Sequence, residues 1–175
     1  QQLLYVDEVV SAGDWTQVGT TPWLDTQNQP TAYIHSNGRN KDSSIFRFED
    51  GTDLGTITSV YLYIYAVQGG ASTDFTTYLG ELLAQSDTGL GPPAAWGWVN
   101  VNVSSILTSW AQINAATMYF DKPNTSNDPS VDCAYLLVNY DAYTTAPPTT
   151  VPPTTLPATT LPPTTLPPTT LPPTT

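Results

Sequence analysis

From residue 59 to 67 the chain reads SVYLYIYAV, with Val60, Leu62, Ile64 and Ala66 on one face and Tyr61, Tyr63 and Tyr65 on the other. Period-two alternation of β-branched and aromatic residues predicts a strand. Weaker alternation recurs at 3–10, 31–35, 44–49, 76–84, 98–103, 117–121 and 133–140. Turn-forming clusters near Gly13, after His35, from Glu49, at Gln68 and from Asn124 separate these runs. Short strands joined in this way predict an all-β fold, an antiparallel jelly-roll β-sandwich. One stretch has helical spacing instead. In VSSILTSWAQI, Ser104 or Ser105 is placed to cap, and Ile106, Leu107 and Trp110 share a side. A short helix is expected there, across one end of the sandwich. The expected core is Val60, Leu62, Ile64, Val99, Val101, Ile106, Trp110, Leu136 and Val138.

The alternation stops near Tyr143, and residues 144–175 repeat a TTxPP pentad. The chain therefore divides into a β-domain, 1–143, and a Thr/Pro tail, 144–175. Eleven prolines in the tail exclude a helix or an inner strand, because proline lacks the N–H donor and holds its predecessor extended. The expected conformation is polyproline II, which at ~3.1 Å per residue reaches roughly 100 Å. A five-residue repeat on a three-residue screw turns each pentad by about 120°. Its fourteen threonines thus point to every side of the rod, and no continuous apolar stripe forms. Thr149, Thr150, Thr154, Thr155, Thr159, Thr160, Thr164, Thr165, Thr169 and Thr170 are candidate O-glycosylation positions.

Charge narrows the possible partners. Four basic residues against fifteen acidic ones give a net charge of −11, which argues against nucleic acid as a partner and against anionic membrane surfaces. No apolar run is long enough to span a membrane as a helix. The lone Cys133 lies in an apolar run and reads as a small buried hydrophobe. The chain starts at Gln1 without a basic leader, which reads as a mature N-terminus. With low charge content and a mucin-like tail, the expected setting is extracellular, at a cell surface. Asn102 (NVS) and Asn124 (NTS) match the N-glycosylation pattern. Asn124, in a polar loop, is the better acceptor; Asn102, in or at the end of a strand, is the less accessible.

Signals for catalysis are weak. The single His35 closes a strand before a Gly/Asn loop, and no GxSxG, HExxH or phosphate-binding loop is present. Fifteen acids guarantee that some carboxylate pair meets glycosidase spacing by chance. A non-enzyme is expected, with no cofactor. Asp50 and Asp53, or Asp121, Asp128 and Asp132, have the oxygen donors for a structural calcium ion but not the spacing of a defined loop, and solvated turn residues are the favoured reading. The best binding surface is the Tyr61, Tyr63 and Tyr65 face with Trp96 and Trp98, suited to protein burial or sugar stacking.

The order of several segments resembles secreted jelly-roll modules of the DNRLRE or CBM96-like type. SSIFRFED is similar to that family's "llrFdl" strand and ITSVYLYIYA to its "ItsAtLyly" strand; WGWVNVNVSSILTSW is similar to its "w..vDVT..v..w" segment and CAYLLVNYDA to its closing strand. The resemblance implies a jelly roll of the kind found in cell-surface, virion and carbohydrate-active proteins. It transfers no calcium ligand, since Asn100 and Asn102 stand where the family usually carries Asp.

These readings converge on a structural subunit of an extracellular filament or surface appendage. Its partners are expected to be copies of itself and covalent glycans. Assembly is expected through sheet-edge pairing or through strand exchange by Leu3, Leu4, Tyr5 and Val6. In that scheme, loss of residues 1–10 abolishes assembly and leaves a folded domain. The alternative is a non-catalytic carbohydrate-binding module on a Thr/Pro linker.

Overall fold

The computed structural model describes residues 1–19, 32–36, 38–71, 74–123 and 126–144. The tail threonines from Thr149 to Thr170 and Asn124 lie outside the described residues. Contacts gather Gln1–Tyr143 into one compact unit. Within it run β1 (Gln2–Ser11), β2 (Thr16–Val18), β3 (Tyr33–His35), β4 (Lys41–Asp42), β5 (Ile45–Phe48) and β6 (Gly55–Val67). There follow β7 (Thr76–Glu81), β8 (Ser86–Asp87), β9 (Gly97–Asn102), the helix α1 (Trp110–Asn114), β10 (Ala116–Lys122) and β11 (Ser130–Ala142).

Every pairing is antiparallel, and the strands form two layers. In the first, β11 lies beside β6 along its whole length, and β9 lies beyond β6. The other flank of β11 takes β3, with β2 outside it, and the first half of β1. In the second layer β10 is flanked by β7 on one side and by β5 and β4 on the other, with β8 beyond β7 and the second half of β1 beyond β5. The architecture is thus the all-β sandwich with one short helix that the alternation predicts.

β1 joins the layers. Gln2 to Tyr5 pair with Val138 to Tyr135 of β11, and from Val6 onward the strand pairs with Phe48 to Ile45 of β5. Register shifts at Val6/Glu8 and Val9/Ser11 supply the bend, since an extra residue in one strand turns it and adds twist. The segment expected to exchange between subunits is therefore paired within its own chain on both sheets.

Between the layers, Val60, Leu62, Ile64, Ala66, Leu136 and Val138 meet Phe46, Phe48, Leu79, Met118 and Phe120, all buried. Phe120 packs against Phe75, Trp15 and Phe46 at ring-centre distances of 5.0, 5.7 and 6.3 Å. Three expected core residues are only partly buried against the core: Val99 and Val101 lie on β9, which among the described residues pairs with β6 alone, and Ile106 lies in the turn after it. Cys133 is buried, as expected.

The helix also starts later than its spacing predicts. Ser109 is the cap, its hydroxyl accepting the Gln112 N–H at 3.2 Å. Ser104 instead accepts the Val60 N–H through its hydroxyl at 2.9 Å, which ties 103–107 to β6 as a tight turn. Trp110 is buried, and its indole N–H donates to the Gly55 carbonyl at 2.8 Å. Gly55 must stay glycine, since a Cβ there would lie 1.9 Å from the Asp141 carbonyl oxygen.

A buried carboxylate orders the loops at one end. Asp74 accepts from the Gly70 and Ala71 N–H groups at 2.7 and 2.8 Å and from the Asn127 amide at 2.8 Å. Burial works to raise its pKa, but these donors together outweigh it and hold the carboxyl below its usual 3.8. A lowered folded pKa means stabilisation that is complete above the unfolded value and lost as pH falls through the folded one. Asp74→Ala is expected to cost about 3 kcal/mol at pH 7, from unsatisfied donors and charge-assisted bonds. Urea denaturation of variant and parent should show the gap closing only below about pH 4.

Candidate interaction face

The inward residues of β6 are buried, so its tyrosines face out. Cross-strand register then places rings in rows. Tyr5, Tyr135 and Tyr63 lie side by side on β1, β11 and β6, with Asn100 of β9 next in line. In the next row Cys133, Tyr65 and Trp98 are neighbours, and on the other side Leu3, Leu137, Tyr61 and Asn102. Opposed residues share a face and sit within side-chain contact, which is why a sheet converts register into a surface.

The rings form one connected layer. Tyr63 stacks on Tyr135 at 4.9 Å and 8°, and Tyr65 on Trp96 at 5.6 Å and 20°. Tyr5 leans on Tyr135, and Trp98 bridges Tyr65 and Tyr135, each pair at 5.3 Å. Tyr33 meets Trp96 edge-on at 5.9 Å and His35 at 6.0 Å. Most of these rings are half-buried, while Trp98 is 41% exposed and Leu3 46%. Burial, then Tyr63, Tyr5 and Cys133, push the Tyr135 hydroxyl above its usual value, so it remains a neutral donor. None of the residues just named carries a carboxylate, ammonium or guanidinium group.

Of the residues expected at this surface, Tyr63, Tyr65, Trp96 and Trp98 are brought into the layer. Tyr61 shares the face, beside Leu137 and Asn102. Tyr5, Tyr33 and Tyr135 complete it and were not anticipated, although Tyr5 and Tyr135 each alternate with buried apolar neighbours in their own strands. His35 belongs to this layer through Tyr33. Asn102 ends β9 exposed, at the strand end where it is expected, its side-chain oxygen accepting the Ser104 N–H at 2.9 Å.

The acidic residues do not gather for calcium. Asp50 pairs with Arg47 at 3.1 Å, Asp53 accepts the Gly55 N–H at 3.3 Å, Asp128 is exposed and Asp132 is buried in β11. Among the described residues no group of three or more potential ligands is placed to hold a metal ion. Asp121 instead opposes Asp42 across β10 and β4, beside a cavity of about 480 Å³ lined by Ser11, Asp14, Ser43 and Tyr119. Burial, a hydrogen bond that protonated Asp42 donates to Asp121, and the charges of Asp121 and Asp14 raise the Asp42 pKa.

No helix among the described residues is long and apolar enough to cross a membrane. The sequence matches no protein-family model and no curated protein.

Proposed function

We propose that the chain is a structural subunit of an extracellular filament or surface appendage, whose β-domain buries its aromatic face against another copy. The tail carries O-linked glycans in this reading. One observation supports it most: a chain of net charge −11 keeps a broad aromatic face free of charge. Copies that repel one another over a Debye length of about 8 Å can approach at such a face without opposing like charges. Rings stacked on one another suit protein burial, where aromatic residues are enriched.

The alternative, a carbohydrate-binding module on a Thr/Pro linker, needs free ring faces for sugars to stack on. Tyr63 and Tyr135 already occupy one another's faces, as do Tyr65 and Trp96. Among the described residues Trp98, exposed beside Asn100, is the one indole that favours sugar binding. The jelly-roll resemblance is compatible with both readings, and the stacked rings favour the first.

Sedimentation and negative-stain imaging of the full chain test the proposal. Polymers should form, and Tyr63→Ser with Trp98→Ser should abolish them while shifting stability by no more than about 1–3 kcal/mol, the scale of lost aromatic pairs. A wild-type chain that stays monodisperse and binds polysaccharide through Trp98 overturns it. Intact mass equal to the bare sequence removes the glycans.

A further inference from the structure

We propose that β9 is a joint between copies: the Gly97–Asn102 edge of one chain pairs antiparallel with the same edge of another, about a two-fold axis at Asn100. This rests on the reading of the chain as a self-assembling subunit and names the element that does it. Sheet edges present unpaired N–H and C=O groups, and proteins guard them with shortness, charge, proline or bulges. Among the described residues the other margins are guarded. β2 has three residues, β8 has two and ends in Asp87, β4 has two and begins with Lys41, and β1, which has one neighbour in each layer, carries Asp7, Glu8 and two register shifts. β9 has six residues, GWVNVN, with neither proline nor charge, and runs against β6 through six consecutive pairs without a shift. Among the described residues it pairs with β6 alone. From Thr88 to Phe120 the chain contains no Asp, Glu, Lys or Arg, so two strongly negative copies meet at β9 without placing like charges across the joint. That neutrality points to a second copy as the occupant.

The backbone direction of β9 sets the register. Val103 donates its N–H to the Val60 carbonyl at 2.9 Å. Alternate residues of a strand face opposite neighbours, so Val101, Val99 and Gly97 also face β6, and Trp98, Asn100 and Asn102 turn their N–H and C=O groups to the open side. Pairing about Asn100 opposes Asn100 to itself and Trp98 to Asn102 of the other copy, closing about six hydrogen bonds. Opposed side chains share a face. The two aromatic faces therefore lie on the same side, and the Trp98 indole of each copy continues its ring layer toward the other. The joint is isologous; a second contact through the doubled aromatic face propagates it into a polymer.

Hydrogen exchange on the full chain reads the joint directly. Trp98, Asn100 and Asn102 amides should exchange fast in dilute monomer and slow in the assembly, while Val99 and Val101 stay slow in both. Asn100→Pro removes an outward N–H without touching the β6 ladder and should raise the concentration needed for assembly more than tenfold, with an unchanged thermal melt. Asn100→Lys serves if the proline variant fails to fold. Asn100→Cys should oxidise to a covalent dimer, because opposed hydrogen-bonded positions sit at ~5.5 Å between Cα atoms, within disulfide reach. Polymers in which Trp98, Asn100 and Asn102 still exchange fast, or N100K polymers forming at the wild-type concentration, overturn the joint and leave the subunit reading standing. Protected amides without N100C crosslinking overturn the self-pairing. A wild-type chain that never assembles removes both.

Discussion

A chain lacking residues 1–10 is expected to show no cooperative unfolding transition. This reverses the outcome that strand exchange predicts, and the reason is the position of β1. It is the strand that holds the two layers together, paired with four residues of β11 and four of β5. Its removal takes Leu4 and Val6 out of the core, worth about 3–5 kcal/mol together by the cost of burying such side chains. It also leaves two strands with open ladders along the sandwich corner, where unsatisfied donors and acceptors cost about 1–3 kcal/mol each. The sum reaches the entire 5–15 kcal/mol by which a domain is stable. Far-UV circular dichroism during heating and urea titration reads the result; a sigmoidal transition in the truncated chain would return β1 to the role of an exchangeable arm.

Phe120→Ala is the largest single-residue effect expected. Its ring is wholly buried where Phe75, Trp15 and Phe46 converge. Its backbone is fixed as well, since its N–H donates to the Ser43 hydroxyl at 2.8 Å and its carbonyl accepts the Ser43 N–H at 2.8 Å. Partners held this way relax poorly into a void, so a loss of about 3–5 kcal/mol is expected, or roughly 10–20 °C in Tm for a domain of this size. Below that lowered midpoint the variant should still assemble, because the aromatic face and β9 are untouched. Calorimetry together with sedimentation checks both halves; a shift under about 3 °C would mean that the cluster repacks.

How much of this was legible depends on which residues carry the signal. β6 was plain, because Val60 to Ala66 and Tyr61 to Tyr65 alternate without a break. β11 was legible only from Cys133, since the buried polar residues Ser130 and Asp132 interrupt the apolar pattern at its start. β4 and β8, at two residues each, are too short for any periodicity. The helix was placed too early because Ile106 and Leu107 have helical spacing, whereas the Ser104 hydroxyl bonds across to β6 and imposes a turn. This is tertiary context overriding local preference. The aromatic face was half legible for a different reason: Tyr63 and Tyr65 betray it within one strand, but Tyr5 and Tyr135 join it through pairings that span most of the domain. Alternation reports which side a residue faces, not which strand lies next to it, so it could not show that β1 is paired to both sheets of its own domain.

The pairing of Gln2 with Val138 also has a kinetic consequence. Contacts between residues so far apart are closed late, because loop entropy opposes them until the intervening strands are in place, and β-domains of this kind fold in milliseconds to seconds or slower. The sandwich corner cannot close before β11 is available. Until then the aromatic rows lack Tyr5 beside Tyr135, so that face is completed only when the two ends of the domain meet.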